Sequence, residues 1–226
     1  QDIIADDISD ASTSIQATEK GTSIIIRDQD AEDVSENLEQ WVGTIIGNKL
    51  NDKIEQDILA TFASFTTNTV GSTGTAMSSI LYRNALTKIR RQNPTSLNNL
   101  LMTLSPQTEQ ELLDTLTLNV AASTNIPVQI PEIFKQNYFQ TGGIMGNKLF
   151  GVPYVVSNLI VDDASGDHIL GMFDRNTIGF VIKRNMRIEM QRDASARTTE
   201  FVITMRYGTG VIYEPWGCKF TVDGDA

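Results

Sequence analysis

The longest hydrophobic repeat in this chain has the period of a helix. From Val34 to Phe62, apolar side chains recur at steps of three and four residues, which places them along one face of a helix. Asp28, Asp30 and Asp33 come immediately before this repeat, and such side chains cap a helix start and complement its positive end. The pattern therefore predicts one long helix, about 43 Å from end to end at the usual rise per residue.

Segments on both sides of this helix have the two-residue period of strands. Thr13 to Arg27 alternates weakly and carries Glu19-Lys20-Gly21 near its centre, which predicts an extended hairpin. Arg187 to Arg192 and Thr199 to Tyr207 predict a second hairpin, with Asp193 to Arg197 as its tip. One face of the last strand is expected to be buried. That face carries Phe201, Ile203, Met205 and Tyr207.

Shorter apolar patterns lie between the long helix and the second hairpin. Met77 to Ile89 has helical spacing and ends near Pro94, whereas Leu100 to Leu104 is typical of a buried strand. Ser105-Pro106 combines a capping serine with proline at the first helical position, so another helix is expected there. Tyr154 to Val156 predicts a further strand. One very long helix, short helices and an antiparallel sheet together predict an α+β fold.

Charge is divided unevenly along the chain, whose net charge is -10. Gln1 to Thr66 carries fourteen acidic and four basic residues, and the remainder carries fourteen of each. Within that remainder, Arg175 to Arg206 holds seven basic and three acidic residues. An acidic beginning and a basic late segment favour a partner of opposite charge, which includes another copy of the same chain.

Composition narrows the class of protein. With 226 residues, of which 40% are hydrophobic, the chain can bury one large core or two small intertwined ones. Its sequence contains no apolar run of the length that spans a membrane. The single cysteine, Cys218, cannot form an internal disulfide. Because the chain begins at Gln1 rather than at a methionine, we expect it to be either a processed protein or the ordered part of a longer one.

Residues that carry catalysis or bind metals are scarce. His168 is the only histidine, and neither a G-x-S-x-G motif nor an activating signature around Cys218 accompanies it. Asp162, Asp163 and Asp167 share one segment but lack the alternating spacing of a calcium loop, so a solvated turn is favoured. We therefore predict no catalytic residue, no cofactor and no metal site.

The remaining motifs have structural interpretations. Gly71 to Thr75 lacks the lysine of a phosphate-binding loop and Gly143 to Gly146 lacks the dinucleotide fingerprint, so both segments predict turns. Basic residues are not interleaved with aromatic ones, which argues against sequence-specific nucleic-acid binding. Four large apolar side chains are interpreted as core. They are Phe62, Phe65, Met186 and Met190.

Several short sequence segments occur along the chain in the same order as similar segments in one known family. Leu101 to Pro106 (LMTLSP) looks like a strand that enters a helix, Gly146 to Val156 contains GVP followed by a strand, and Gly171 to Val211 is similar to the carboxyl-terminal half of coat proteins. Together they resemble the Hong Kong 97 capsid fold of tailed-bacteriophage major capsid proteins. The resemblance implies an extended loop, a long spine helix, a peripheral domain and an axial domain.

The resemblance also implies how the chain is divided. Residues 1–33 are expected to be an amino-terminal arm remnant and the extended loop. Residues 34–96 and 184–207 are expected to form the peripheral domain, with the spine helix and the long hairpin. Residues 97–183 and 208–226 are expected to form the axial domain.

A structural function follows from this resemblance. It implies a major capsid protein that assembles into hexamers and pentamers of an icosahedral head enclosing double-stranded DNA, in the host cytoplasm and then the virion. Expected partners are other copies, a scaffold, a portal and a cement protein, with no membrane. The alternatives are the shell of an encapsulin-like compartment and, less favoured, a soluble binding module or a hydrolase.

The charge division suggests which residues join neighbouring copies. We expect the acidic loop and helix start of one copy to meet the basic hairpin of another. The candidate contacts between subunits are Glu19, Lys20, Asp28, Asp30, Arg184, Arg187, Arg192, Asp193 and Arg197.

Overall fold

A computed structural model describes residues 13–33, 38–92, 99–117 and 148–224. Within these ranges the chain forms two β-sheets with helices packed against them. The helices are α1 (Asp28–Asp33), α2 (Leu38–Ala60), α3 (Ser79–Arg91) and α4 (Pro106–Thr117), with 3-10 turns at Thr61–Ser64 and Glu214–Trp216. The strands are β1 (Thr18–Arg27), β2 (Thr69–Gly71), β3 (Leu100–Leu104), β4 (Lys148–Leu149), β5 (Val152–Val156), β6 (His168–Asp174), β7 (Ile178–Asp193), β8 (Thr198–Val211) and β9 (Gly217–Val222).

The first sheet is a long antiparallel ribbon widened by one strand. Its order is β1-β8-β7, so β8 is the central strand. The predicted second hairpin is confirmed, since β7 and β8 pair from Ile178↔Val211 to Asp193↔Thr198 around the predicted tip. Its expected buried face is confirmed as well, because Ile203, Met205 and Tyr207 are buried and Phe201 is partly buried.

The predicted hairpin at Thr13 to Arg27 is wrong. Residues 18 to 27 form the single strand β1, which pairs with β8 in unbroken register from Thr18↔Tyr207 to Arg27↔Thr198. Gly21 lies in mid-strand opposite Thr204, where a Cβ would come within 2.7 Å of the Ile203 carbonyl oxygen. The glycine that looked like a turn residue is thus needed for close approach to β8.

Helix α2 is the long helix that the hydrophobic repeat predicted. It continues into the 3-10 turn at Thr61–Ser64, and its apolar face packs on the β1-β8 side of the ribbon. Val42, Ile46 and Leu50 are buried there against Ile203 and Tyr207. The predicted start at Val34 lies outside the described residues. Burial of this face removes apolar surface from water and holds the helix on the ribbon.

The second sheet has six strands in the order β2-β9-β6-β3-β5-β4. The predicted strands at Leu100 to Leu104 and Tyr154 to Val156 and the helix entered through Ser105-Pro106 are all present. Helix α3 lies over this sheet, with Tyr82 fully buried and its hydroxyl donating to the Leu149 carbonyl oxygen at 2.9 Å. The mixed helix and strand architecture confirms the predicted α+β class.

Aromatic rings pack where the two sheets meet. Phe62 is fully buried and contacts Phe65 and Phe173 at ring-centroid distances of 6.0 and 5.3 Å. A Cβ at Gly171 would lie 2.7 Å from the Phe62 ring, and one at Gly217 would lie 2.7 Å from the Phe65 ring. The rings therefore rest on bare backbone of the six-stranded sheet. The core role predicted for Phe62 and Phe65 is confirmed, whereas the limits of the expected peripheral and axial domains stay a prediction.

Asp57 joins α2 to both neighbouring strands of the ribbon. Its carboxylate accepts hydrogen bonds from the Tyr207 hydroxyl (2.7 Å) and Lys53 Nζ (2.9 Å), and Lys20 Nζ lies 3.8 Å away. Partial burial opposes ionisation, but these hydrogen bonds and the two lysine charges outweigh it and lower the pKa of Asp57. Burial, then the bond to Asp57, raises the pKa of Tyr207 well above its usual value. This group fixes the helix relative to the ribbon.

Removal of this contact is expected to destabilise the fold. Tyr207→Phe deletes one hydrogen bond to a charged group, so the free energy of unfolding should fall by about 1.5–3 kcal/mol in urea titration. Asp52→Asn is the matched control for Asp57→Asn, because Asp52 is exposed on the same helix. Equal stability of the Asp57 and Asp52 variants would contradict the importance of this contact.

Acid should weaken the same contact. A carboxylate with a lowered pKa stabilises the folded state above its ordinary pKa of 3.8, and this contribution is lost as pH falls through the lowered value. Wild type should therefore lose unfolding free energy on acidification from pH 5 to pH 3 more steeply than Asp57→Asn, as measured by urea titration. Parallel curves for the two proteins would exclude Asp57 as a source of acid sensitivity.

Candidate assembly surface

Strand β7 forms an exposed edge of the ribbon. β8 covers one of its edges, and no described strand pairs with the other. From Phe180 to Asp193 every residue of the strand is exposed. An edge strand presents unpaired backbone N–H and C=O groups, which another chain is able to pair with or cover.

The exposed edge carries apolar side chains on the same face as the ribbon core. Ile188 lies directly opposite Ile203, and Met190 lies opposite Phe201, so these cross-strand neighbours point to the same side. Helix α2 covers that side of β1 and β8 but leaves β7 uncovered. We call the four uncovered side chains the β7 strip. They are Phe180 (41% exposed), Ile182 (47%), Ile188 (54%) and Met190 (66%).

The interpretation of Met186 and Met190 as core residues is wrong. Met186 is 52% exposed and Met190 is 66% exposed. Their alternation with polar residues matched a half-buried strand, but the helix that buries the equivalent face of β8 does not reach β7. Alternation alone cannot distinguish an apolar face covered by its own chain from one left open.

Charged side chains occupy the opposite face of the ribbon. Arg184 donates to Glu19 at 2.7 Å, across the width of β8, and Arg187 pairs with Glu189 at 2.9 Å along β7. The register of β7 shifts twice between Ile182 and Arg187. Such irregularities re-aim side chains and increase local twist, which here lets Arg184 reach β1.

The tip of the hairpin is tied to helix α1. Arg192 donates two hydrogen bonds to the Asp28 carboxylate, at 3.0 and 2.8 Å, and the Asp28 backbone N–H donates to the Arg197 carbonyl oxygen at 3.0 Å. The hydrogen bonds to Asp28, then its charge, raise the pKa of Arg192. Asp193 accepts bonds from the hydroxyl and N–H of Ser195, which lower the pKa of Asp193 and hold the turn.

Several predicted contact residues therefore meet within one chain. Glu19 reaches Arg184, Asp28 reaches Arg192 and Lys20 approaches Asp57. Asp30 is exposed on α1. In a bidentate pair, both carboxylate oxygens accept hydrogen bonds from the same guanidinium group, as Asp28 does from Arg192. Contact of these residues with a second copy stays a prediction, and the β7 strip is the part of this surface that sequence reasoning missed.

Residues considered for chemistry have structural partners. His168 Nδ1 lies 2.6 Å from Asp162 Oδ1, while Asp163 accepts backbone N–H bonds from Ser165 and Asp167. Burial raises the pKa of the Cys218 thiol to about 12, which keeps it in the unreactive thiol form. Among the residues that the structure describes, no group of three or more His, Cys, Asp or Glu side chains is arranged to hold a metal ion.

Turns were predicted at two glycine-containing segments, Gly71 to Thr75 and Gly143 to Gly146, and the structure describes the first of them. Gly71 and Gly74 adopt positive φ angles of 82° and 68°, and Gly71 lies against the Thr221 backbone where a Cβ would clash. This confirms a turn at Gly71 to Thr75. The segment Gly143 to Gly146 lies outside the described residues. None of the described helices has the length and hydropathy needed to cross a bilayer.

A model of the phage capsid protein family matches residues 11–219, which is nearly the whole chain. The chain belongs to the phage capsid protein family. The match confirms the resemblance to tailed-phage coat proteins and identifies a shell-forming structural protein of the phage head. No curated protein sequence matches the chain significantly.

Solved capsid structures share the fold. The chain superimposes on the capsid structure of cyanophage P-SCSP1u with a TM-score of 0.68 at 15% identity, covering 93% of this chain and 73% of the other. A Mycobacterium phage Che8 structure gives a TM-score of 0.68 at 20% identity, covering 97% and 76%. An encapsulin complex from Synechococcus elongatus gives 0.65 at 10% identity, covering 93% and 75%. Identities this low establish the fold alone.

Charge reversal at the hairpin tip is expected to impair assembly of this capsid protein. Arg192→Glu with Arg197→Glu turns a contact between the tip and acidic groups of a neighbouring copy from attractive to repulsive, while the exposed pair with Asp28 within the chain contributes little to the fold itself. We expect near-normal unfolding by circular dichroism and a large loss of assembled particles by sedimentation at low salt. Arg83→Glu with Arg91→Glu on α3 makes the same charge change elsewhere. Normal assembly of the tip variant would exclude the hairpin tip as a charged contact between copies.

Proposed function

We propose that this chain is a major capsid protein that assembles into hexamers and pentamers of an icosahedral phage head. Membership of the capsid family across residues 11–219 supports this proposal. The structural observation that supports it most is the β7 strip. Its apolar face continues the ribbon core, and none of the described segments covers it. A neighbouring copy supplies that cover.

Burial of the β7 strip would contribute to association. Transfer of a large apolar side chain from water to a packed interior is favourable by about 1.5–3 kcal/mol when complete. Each of the four side chains exposes between 41% and 66% of its surface, so its burial contributes a fraction of that amount. Many weak contacts of this size, repeated around a symmetric shell, hold it together and still permit errors to be corrected during assembly.

The charge of the chain suits a container for double-stranded DNA. A net charge of -10 disfavours tight binding to phosphate, because each additional phosphate contact strengthens and immobilises the complex. We propose that the shell encloses DNA without recognising its sequence. A scaffold, a portal and a cement protein are the further partners that we propose, with assembly in the host cytoplasm and a final location in the virion.

An encapsulin-like compartment is the second candidate. The superposition on the Synechococcus encapsulin complex over 93% of this chain supports it, since the same fold serves there in a different kind of shell. The two functions differ in shell diameter and contents. A soluble binding module or a hydrolase is less favoured, because the residues considered for chemistry are engaged in structural contacts.

Electron microscopy of the expressed protein tests the proposal. Large closed icosahedral particles with hexamers and pentamers are expected, after addition of a scaffold protein where the subunit needs one. Small shells that retain a protein cargo would favour the encapsulin-like function. A monomer that persists at high concentration in the presence of scaffold would overturn both shell functions.

The β7 strip should be required for these particles. Ile188→Thr with Met190→Thr removes apolar surface but keeps residues that suit an exposed strand, so we expect an intact fold and few particles. Val155→Thr is the matched control, because Val155 is also about half exposed but lies on the six-stranded sheet. The measurements are thermal unfolding of the unassembled chain and particle yield by sedimentation. Equal particle yields from both variants would remove the strip from the assembly contact.

A further inference from the structure

Three glycines leave a strip of bare backbone on the ribbon. Gly179 of β7 pairs directly with Gly210 of β8, and Gly208 lies two residues from Gly210, so all three are on one face. Tyr207 points toward α2, which places its neighbour Gly208 and the other two glycines on the opposite face. We call this site the glycine trough.

The segment before β1 fills the glycine trough. Residues 13–17, which we call the strap, precede the strand and include the partly buried Ile15. A Cβ at Gly179 would lie 2.6 Å from Ile15 Cδ1, and one at Gly208 would lie 2.5 Å from the Gln16 carbonyl oxygen. A Cβ at Gly210 would lie 3.1 Å from Ile15 Cγ1. Glycines are thus needed for this approach, most clearly at Gly208, where backbone meets backbone.

The path of the strap differs from that of the strand that follows it. β1 lies beside β8 as far as the pair Thr18↔Tyr207. Beyond that pair the strap leaves the edge and passes over β8, because Ile15 reaches Gly179 on the far strand β7. The ion pair between Glu19 and Arg184, at 2.7 Å, spans the same two edges of the ribbon next to the crossing.

We propose that the strap and the glycine trough form a lock within each chain, which fixes where the N-terminal segment leaves the ribbon. The exit lies at the β7 edge, on the face opposite α2. The link from Ile15 to Thr18 spans at most about 10 Å. This short link suffices for the strap to reach the trough of its own chain while β1 stays paired with β8.

The lock gives the N-terminal segment a defined starting point in a shell. The twelve residues before the strap contain four acidic side chains and no basic one, and Lys183 and Arg187 are exposed on β7. The exit thus places the attachment point of an acidic segment at an edge strand that carries exposed basic side chains and the β7 strip. This use of the exit rests on the proposed shell function, whereas the lock itself does not.

Cysteine cross-linking tests the lock in the full unassembled chain. Ile15→Cys with Gly210→Cys brings two thiols to the short separation that a disulfide requires, so oxidation should link them within one chain. A mixture of the two single variants should yield no linked pairs of chains. Linked pairs from that mixture would show docking between copies, and a double variant that does not cross-link would show an empty trough. Either result would overturn the proposal.

Limited proteolysis provides a second measure that does not depend on cysteines. Ile15→Ala and Gly208→Ala should each raise the cleavage rate within the strap by on the order of tenfold, because the strap then opens more often. Gly43→Ala is the control, since a Cβ there meets no atom within 4 Å. Unchanged strap cleavage in Ile15→Ala, which introduces no clash, would contradict the lock.

Particle yield tests whether the lock contributes to shell assembly, which is a separate question from whether the lock exists. Wild type that forms no shells would overturn the proposed function and leave the cross-linking result standing. Variants with a released strap that assemble as well as wild type would show that the exit plays no part in assembly. Loss of particles with the strap released would support its use.

Discussion

The first sheet is organised around β8, which has partners within the chain on both edges and on one face. β1 and β7 pair with its two edges, and α2 packs on one of its faces. The hydrogen bonds from Tyr207 and Lys53 to Asp57 then fix the helix relative to the strand, at a point where burial alone would permit sliding. Because β8 is paired on both edges within its own chain, the ribbon surfaces left for other chains are the outer edges of β1 and β7 and the parts of the face opposite α2 that the chain itself does not cover.

One helix cannot cover a three-stranded sheet, and this mismatch produces the most conspicuous surface of the molecule. A helix with its side chains is about 10–12 Å wide, whereas three strands spaced about 4.8 Å apart occupy roughly 14 Å across the sheet. Helix α2 lies over β1 and β8, and no other described segment covers the apolar face of β7. A monomeric enzyme would cover such a strip with a loop or a second helix. In a protein of the phage capsid family, an uncovered strip is consistent with a neighbour that covers it.

Glycine has two distinct uses in this fold. At Gly171 and Gly217 it lets the Phe62 and Phe65 rings rest on backbone, and this joins the ribbon to the six-stranded sheet. In the glycine trough it lets a second stretch of backbone cross the ribbon. Both uses require the absence of a side chain rather than unusual dihedral angles. A reading of glycine as a turn signal therefore fails at these sites, as it did at Gly21.

The sequence by itself determined the elements whose signals are local. The three- and four-residue spacing marked α2, the alternation from Phe201 to Tyr207 marked β8, Ser105-Pro106 marked the start of α4, and the ordered phrases marked the capsid family. Only the tertiary structure decided which strands and side chains pair with one another. Residues 18 to 27 became one strand because β8 offers a hydrogen-bond partner for each of them. Glu19 and Asp28 pair within the chain, and Met190 is exposed, because the positions of β1, α1 and α2 relative to the hairpin depend on contacts between distant segments. Periodicity records which face of an element is apolar, but what covers that face depends on the rest of the fold and on neighbouring copies.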